Sequence, residues 1–205
     1  SRYERMADNC YLLREAQQGT AYRSTGKNIA FRKSEFMKGN GYQGNLKYIY
    51  GEYDFLVNKY AQDGCTNTVT HPDGWMIEDS PSAKRRRNEH IYYQETRKHL
   101  ERSLSHRMAF NADQCALHLG WMTVIAAALL GIFTQHWIIC ISAGLALLLI
   151  VALRTMVARK AVALFNVHIP CWKLVFYETG EIWHHLAYKL WYAKTDKYDF
   201  ICHKI

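Results

Sequence analysis

The sequence predicts an all-α membrane protein built on a two-helix transmembrane hairpin, with amphipathic flanking helices and a loop-rich N-terminal extension. Three observations carry that expectation. Residues 116–153 contain no Asp, Glu, Lys or Arg. Inside that run the only consecutive polar residues are Thr134, Gln135 and His136. Basic clusters stand on both sides of it.

Length decides that the run folds back. As one straight helix it would be about 57 Å long at about 1.5 Å per residue, against about 30 Å of bilayer hydrocarbon. Two spans, about 116–134 and 137–156, each have the length that crossing requires. The reversal falls at "TQHW", where headgroups and water can satisfy an opened backbone and Trp137 is an aromatic of the interfacial kind. A pair of buried helices in a soluble protein is the alternative. However, "VIAAALLGIF" and "IICISAGLALLLIVAL" have no polar face, and helices apolar all round need a large core or a membrane. A chain of 205 residues offers little else to bury them.

Ahead of the spans, residues 1–83 form the polar, aromatic-rich extension. "YERMADNCYLLREAQQ" reads as a short helix ending before Gly19, and "GKNIAFRKSEFMKGNGYQGN" as a basic stretch closing in a glycine loop. "LKYIYGEYDFLVNKYA" reads as helical or partly extended, and "HPDGWMIEDSPSAK" as turn-rich. Few aliphatic residues and many aromatics suit segments that order by lying on another protein. Residues 84–115 are predicted as a basic amphipathic helix, with the helical pattern running through 88–110 on Tyr92, Leu100, Leu104 and Met108. Lys84, Arg85, Arg86 and Arg87 open it and are expected to contact anionic phospholipid rather than nucleic acid.

The flanks set the topology. The stretch "KRRRNEHIYYQETRKHLERSLSHR" carries eight Lys or Arg against three Glu, and "RTMVARK" adds Arg154, Arg159 and Lys160. Both flanks therefore belong on one side of the membrane. Within the spans, Ala127 with Gly131 and Ser142 with Ala146 have the small-xxx-small spacing that lets helix backbones approach. Residues 157–205 form the C-terminal amphipathic segment. Helix is expected to continue to His168, and 181–194, "EIWHHLAYKLWYAK", places Ile182, Trp183, Leu186, Leu190 and Trp191 on one side. Such a Trp-rich helix suits an interface plane or a partner surface, which makes Trp137, Trp183 and Trp191 the expected interfacial aromatics.

The net charge is +8. Six cysteines are scattered without C-x-x-C or zinc-like spacing and are expected as free thiols. The sequence begins at Ser1 without Met, and no signal-peptide pattern follows; any presequence is expected to have been removed. No phosphate loop, zincin helix, nucleophile elbow or dinucleotide fingerprint is present in the sequence. One E-x-x-H pair, Glu181 with His184, falls short of the two such pairs and two further Glu of a carboxylate-bridged di-iron site. Neither catalysis, cofactor nor metal is expected.

The five residues "SLSHR" at 103–107 are similar to the S-x-x-H-R at the matrix-side start of the first membrane helix in the succinate dehydrogenase cytochrome b anchor family. The similarity implies a quinone site using Ser103, His106 and Arg107. Met108 and Ala109 stand where that family has Thr-Gly, and its third span and haem histidine motif are not found. A quinone-pocket anchor subunit is thus one alternative reading. A small oligomeric channel lined by Thr123, Cys140 and Ser142 is another, set against the absence of ionisable residues from the spans. The leading expectation is a non-catalytic accessory subunit of a multi-subunit complex in the mitochondrial inner membrane, of the respiratory chain or ATP synthase. Its partners would be neighbouring subunits and anionic phospholipid, with both termini on the matrix side.

Overall fold

The computed structural model describes residues 2–24, 28–61, 65–74, 76, 79 and 81–195. Ser1, Cys202 and the 196–205 end of the predicted C-terminal segment lie outside the described residues. The regular elements among the described residues are all helical, without a strand. The helices are α1 (Arg2–Gln17), α2 (Lys33–Lys38), α3 (Glu52–Tyr60), α4 (Ala83–Thr96), α5 (Ser103–Phe133), α6 (Trp137–Leu164) and α7 (Cys171–Lys194), with a 3-10 turn at Pro72–Gly74. Two of them, α5 with 31 residues and α6 with 28, are long and apolar enough to cross a membrane.

Four helices end in the same way, and the sequence shows why. At the end of α5 the His136 N–H donates to the Gly131 carbonyl and the Gln135 N–H to that of Ile132. Gln135 takes the left-handed conformation at φ 57°. Crossed bonds around one left-handed residue make a Schellman ending. The same pattern closes α1 at Gly19, α2 at Asn40 and α6 at Asn166. Gly and Asn are the residues that adopt this conformation most readily; Gln135 adopts it at some strain. The polar tripeptide at 134–136 is therefore a helix stop that needs neither Gly nor Pro. Helix α7 starts directly after Pro170, ten residues earlier than the periodicity of 181–194 indicates.

The helix expected to run through 88–110 is instead broken at 97–102, between α4 and α5. Tertiary bonding overrides the local pattern here. The Asn58 side chain donates to the Glu101 carbonyl at 2.8 Å and accepts from the Glu101 N–H at 3.2 Å. Arg102, left-handed at φ 64°, donates to the Asn58 carbonyl at 2.9 Å. Leu100 turns inward and is buried. Asn58 thus satisfies backbone groups that an uninterrupted helix would have paired internally.

The chain divides into two compact units. One comprises the residues up to Ala7 together with Arg107–Ile182; the other comprises Asp8–His106 and the chain from Trp183 onward. In the first, Tyr3, Met6 and Leu174 form a buried cluster against Ala158, Ala161, Val162 and Phe165. In the second, Tyr22, Phe55 and Leu100 form the core with Tyr48 packed on it. Tyr48 stacks on Phe55 at 4.6 Å and Tyr50 on Tyr92 at 3.9 Å. Aromatics in the N-terminal extension are therefore partly spent on one another, an outcome that a search for aliphatic residues alone does not anticipate.

Candidate functional site

Helices α5 and α6 pair as an antiparallel hairpin whose register can be read from its contacts. Gly131 lies against Cys140, whose Sγ sits 3.8 Å from the Ala128 carbonyl oxygen. Farther from the turn Gly120 faces Ile150, and farther still Asp113 meets Arg154. A Cβ on Gly131 would come within 2.6 Å of the Cys140 Sγ and 3.0 Å of its backbone nitrogen. Hydrogen at that position is what allows the approach. Gly131 and Ala143 are buried on this seam, while Ala127 and Ala146 are half-buried. Ser142 is exposed and belongs to the outer face. The predicted packing pairs are thus divided, with Cys140 and Ala143 the seam residues that small-xxx-small spacing does not pick out.

Outside the seam the hairpin presents aliphatic surface. Of the most apolar 18-residue stretch, 17% is buried in α5 and 6% in α6. Leu129, Ile132, Phe133, Trp137, Ile138, Leu145 and Leu148 are all exposed. A run of this size far exceeds the few hundred Å² of contiguous apolar surface a soluble monomer shows. Its outward side chains require a covering of lipid or of other helices.

The first charges on either side of the run meet. Arg154 contacts Asp113 at 3.2 Å and Glu178 at 2.6 Å, joining α5, α6 and α7 at the open end of the hairpin. All three are in the first unit. Their side chains range from 15% exposed for Glu178 to 44% for Asp113. Sequence reasoning used Arg154 only as a topology marker and overlooked its partners. The available signal was the similar distance of Asp113 and Arg154 from the turn, which antiparallel pairing converts into a contact.

Helix α7 is amphipathic in an inverted sense. In the first unit Leu174, Glu178 and Glu181 turn inward, while Trp172 and Phe176 are exposed. In the second, His185, Tyr188 and Tyr192 turn inward, while Trp183, Leu186 and Leu190 are exposed. The inward residues recur at helical spacing and are mostly polar or hydroxyl-bearing; the outward ones are the large apolar residues. His90 stacks on Tyr188 at 3.8 Å. The Tyr192 hydroxyl donates to Glu95 and accepts from Lys98, and Lys98 also reaches Glu95 at 3.0 Å. Burial opposes ionisation of Glu95, but the Tyr192 hydroxyl and Lys98 outweigh it and hold its pKa below the usual value.

The second unit also encloses a charged cluster that sequence reasoning missed. Arg23 donates to Asp8 at 2.8 Å and lies over the Tyr93 ring at 4.0 Å. The Tyr22 and Tyr93 hydroxyls share a hydrogen bond of 2.8 Å. The Ser24 N–H donates to Asp54 at 3.0 Å. Burial pushes the Asp54 carboxyl up to about 6, against the lowering pull of Arg23 and the Ser24 N–H. His106 touches the rings of Tyr11 and Tyr22, and its Nδ1 lies 3.8 Å from Glu15. Burial, followed by the charge of Arg23, pushes the His106 pKa down, with Glu15 opposing. These groups are bonded to one another across α1, α3 and α4, so the cluster is a polar lock on that unit. No local motif signals it, since Asp8, Arg23, Asp54 and Tyr93 are far apart in sequence.

Of the residues implied by the quinone resemblance, Ser103 is buried and its hydroxyl donates to the Arg97 carbonyl at 2.7 Å. His106 belongs to the second unit, as described, and Arg107 to the first. In the basic run Lys84, Arg85 and Arg87 are exposed, and Arg85 pairs with Glu89 at 3.2 Å. Ser82 caps α4 by accepting from the Arg85 N–H. Of the predicted interfacial aromatics, Trp137 and Trp183 are exposed, and Trp191 is 44% exposed. The described cysteines, Cys10, Cys65, Cys115, Cys140 and Cys171, are free thiols. No group of three or more metal-ligating side chains occurs among the described residues.

No protein-family model, curated protein or solved structure matches the chain.

Proposed function

We propose that the chain is an integral membrane accessory subunit, in which the α5–α6 hairpin spans the bilayer and α7 lies at its surface. The observation that carries this reading is the outward apolar surface on both spans together with the inverted face of α7. Aliphatic side chains facing outward on two paired helices match a hydrocarbon solvent. Trp and Leu facing outward on a third helix, with its polar side turned inward, match an interfacial position. The base triad of Arg154, Asp113 and Glu178 lies just beyond the charge-free run, at headgroup depth.

A structural role is supported by how the ionisable groups are used. The cluster around Arg23 and the one around Glu95 are held by bonds among their own members, with the buried Arg23 Nε left without a hydrogen bond. The host we propose is a multi-subunit assembly of the mitochondrial inner membrane, with the basic ends on the matrix side. The one-sided basic flanks and the free thiols are its support. Native separation of mildly solubilised source membranes, with mass spectrometry of every band containing the chain, tests this. Comigration in fixed ratio with a large assembly is the expected result. A chain that runs alone or as a small homo-oligomer contradicts it.

That second outcome would favour an oligomeric channel, the reading supported by Thr123 and Ser142 on the outer face of the hairpin. Cys140 is directed at α5 and is not available to line such a pore.

A further inference from the structure

We infer that the cavity of about 270 Å³ lined by Arg87, Asn88, Ile91, Trp191, Lys194 and Thr195 is a seat for the phosphate headgroup of an anionic phospholipid. This rests on the membrane reading proposed above. The cavity lies within the second unit, between the middle of α4 and the end of α7. Its size falls near the lower end of ligand pockets, which run from about 300 to 1,000 Å³, and suits a headgroup better than a large cofactor.

The chemistry of the walls selects an anion. Two lining residues are cations and none is a carboxylate. Among the described residues neither Arg87 nor Lys194 takes part in an ion pair, whereas Arg85, one turn away from Glu89, does. Arg87 brings a planar fork of donors suited to phosphate, and Lys194 a point charge. The remaining walls are the polar Asn88 and Thr195 and the apolar Ile91 and Trp191, the last beside the exposed Leu190. A phospholipid with its phosphate between Arg87 and Lys194 would have apolar surface beside it for the glycerol and the first acyl carbons.

The test uses the full chain in neutral detergent, titrated with short-chain phosphatidylglycerol or phosphatidylcholine and read by native mass spectrometry of retained lipid. Phosphatidylglycerol should be retained at least tenfold more tightly than phosphatidylcholine. The double variant Arg87→Gln with Lys194→Gln should weaken phosphatidylglycerol about thirtyfold, since each cation near an anionic lipid surface contributes roughly a factor of five. Lys84→Gln, which removes a cation of the same helix outside the cavity, should change it less than twofold. Equal retention of the two lipids would overturn the inference, as would equal losses in the double variant and in Lys84→Gln. Displacement of phosphatidylglycerol by millimolar inorganic phosphate would overturn the lipid as occupant. Flotation of each variant with phosphatidylcholine vesicles separates this from the larger reading. A chain that floats but shows no headgroup preference loses only the cavity assignment, and a chain that alkaline carbonate strips from the vesicles loses the membrane reading itself.

Discussion

Removing Arg154 should loosen the open end of the hairpin, and the geometry fixes an order among the variants. Its guanidinium lies 2.6 Å from Glu178 and 3.2 Å from Asp113. The Glu178 side chain is 15% exposed and that of Asp113 is 44% exposed. An exposed ion pair contributes about 0.2–1 kcal/mol, whereas stripping one partner from a buried pair costs about 3–5 kcal/mol. The Arg154–Glu178 contact falls between these limits and the Arg154–Asp113 contact close to the lower one. Arg154→Met leaves two carboxylates facing each other with no cation, so its expected cost is about 2–3 kcal/mol. Glu178→Gln should cost about 1–2 kcal/mol, because the amide keeps a shape like the carboxylate but loses the charge-assisted bond. Asp113→Asn should cost under about 1 kcal/mol. The assay is denaturant unfolding of the full chain in mild detergent, followed by helical circular dichroism, with a double-mutant cycle on Arg154 and Glu178. A coupling below about 0.5 kcal/mol, or an Asp113→Asn cost larger than that of Glu178→Gln, would refute the reasoning.

Gly131→Ala should destabilise the hairpin by about 1–3 kcal/mol, since the added methyl meets the Cys140 Sγ and backbone; Gly144→Ala, with nothing within 4 Å, should leave the isolated chain as stable or up to about 1 kcal/mol more stable, because Ala is the better helix former. Loss of a host assembly by Gly144→Ala alone would place a neighbouring helix there, and equal thermal stability of the two variants would contradict the seam. Asn58→Leu should cost about 1–3 kcal/mol through the unpaired Glu101 N–H and carbonyl, while the Arg102 bond to the backbone carbonyl of residue 58 is kept; a shift below 0.5 kcal/mol in urea unfolding would sink that account of the α4–α5 break. Asp54 and His106 of the second unit should oppose each other in pH dependence. Asp54, held up at about 6 from its ordinary 3.8, contributes stability below about pH 4 that is lost as pH rises through 6. His106, held below its ordinary 6.5, contributes stability above 6.5 that is lost as pH falls through its lowered value. Asp54→Asn should therefore be more stable than the parent chain by about 3 kcal/mol at pH 8 and nearly equal at pH 4. An Asp54→Asn variant less stable at pH 8 would show that the charge is favoured where it stands.

Much of the hairpin was legible because its physics is local. A charge-free run has one length, a bilayer another, and the polar tripeptide at 134–136 is the one place to turn. The outward Trp183, Leu186 and Leu190 were legible for the same reason, through helical periodicity. What periodicity could not convey was the break at 97–102, because its cause is Asn58, more than forty residues earlier. The start of α7 was missed because 171–180 mixes Trp172 and Phe176 with Lys173 and Glu178 in a pattern that looks irregular until inward and outward faces are exchanged. The small-residue motif found Gly131 but credited Ser142, which points outward, since spacing alone does not say which side of a helix meets its neighbour. The charged cluster around Arg23 was not legible at all. It gathers residues from α1, α3 and α4 whose types are common on solvated surfaces.

The most direct test of the membrane hairpin is its sidedness. In a cysteine-free chain reconstituted into sealed vesicles, single cysteines at Gln135, Ser105 and Cys171 would be probed with a membrane-impermeant maleimide before and after permeabilisation. The account predicts that 105 and 171 label from the same side, that 135 labels only from the other, and that Ile125 and Leu148, replaced likewise, resist labelling from both sides. Labelling of 135 from the same side as 105 and 171, or ready labelling at 125 and 148, would contradict a hairpin that crosses the bilayer.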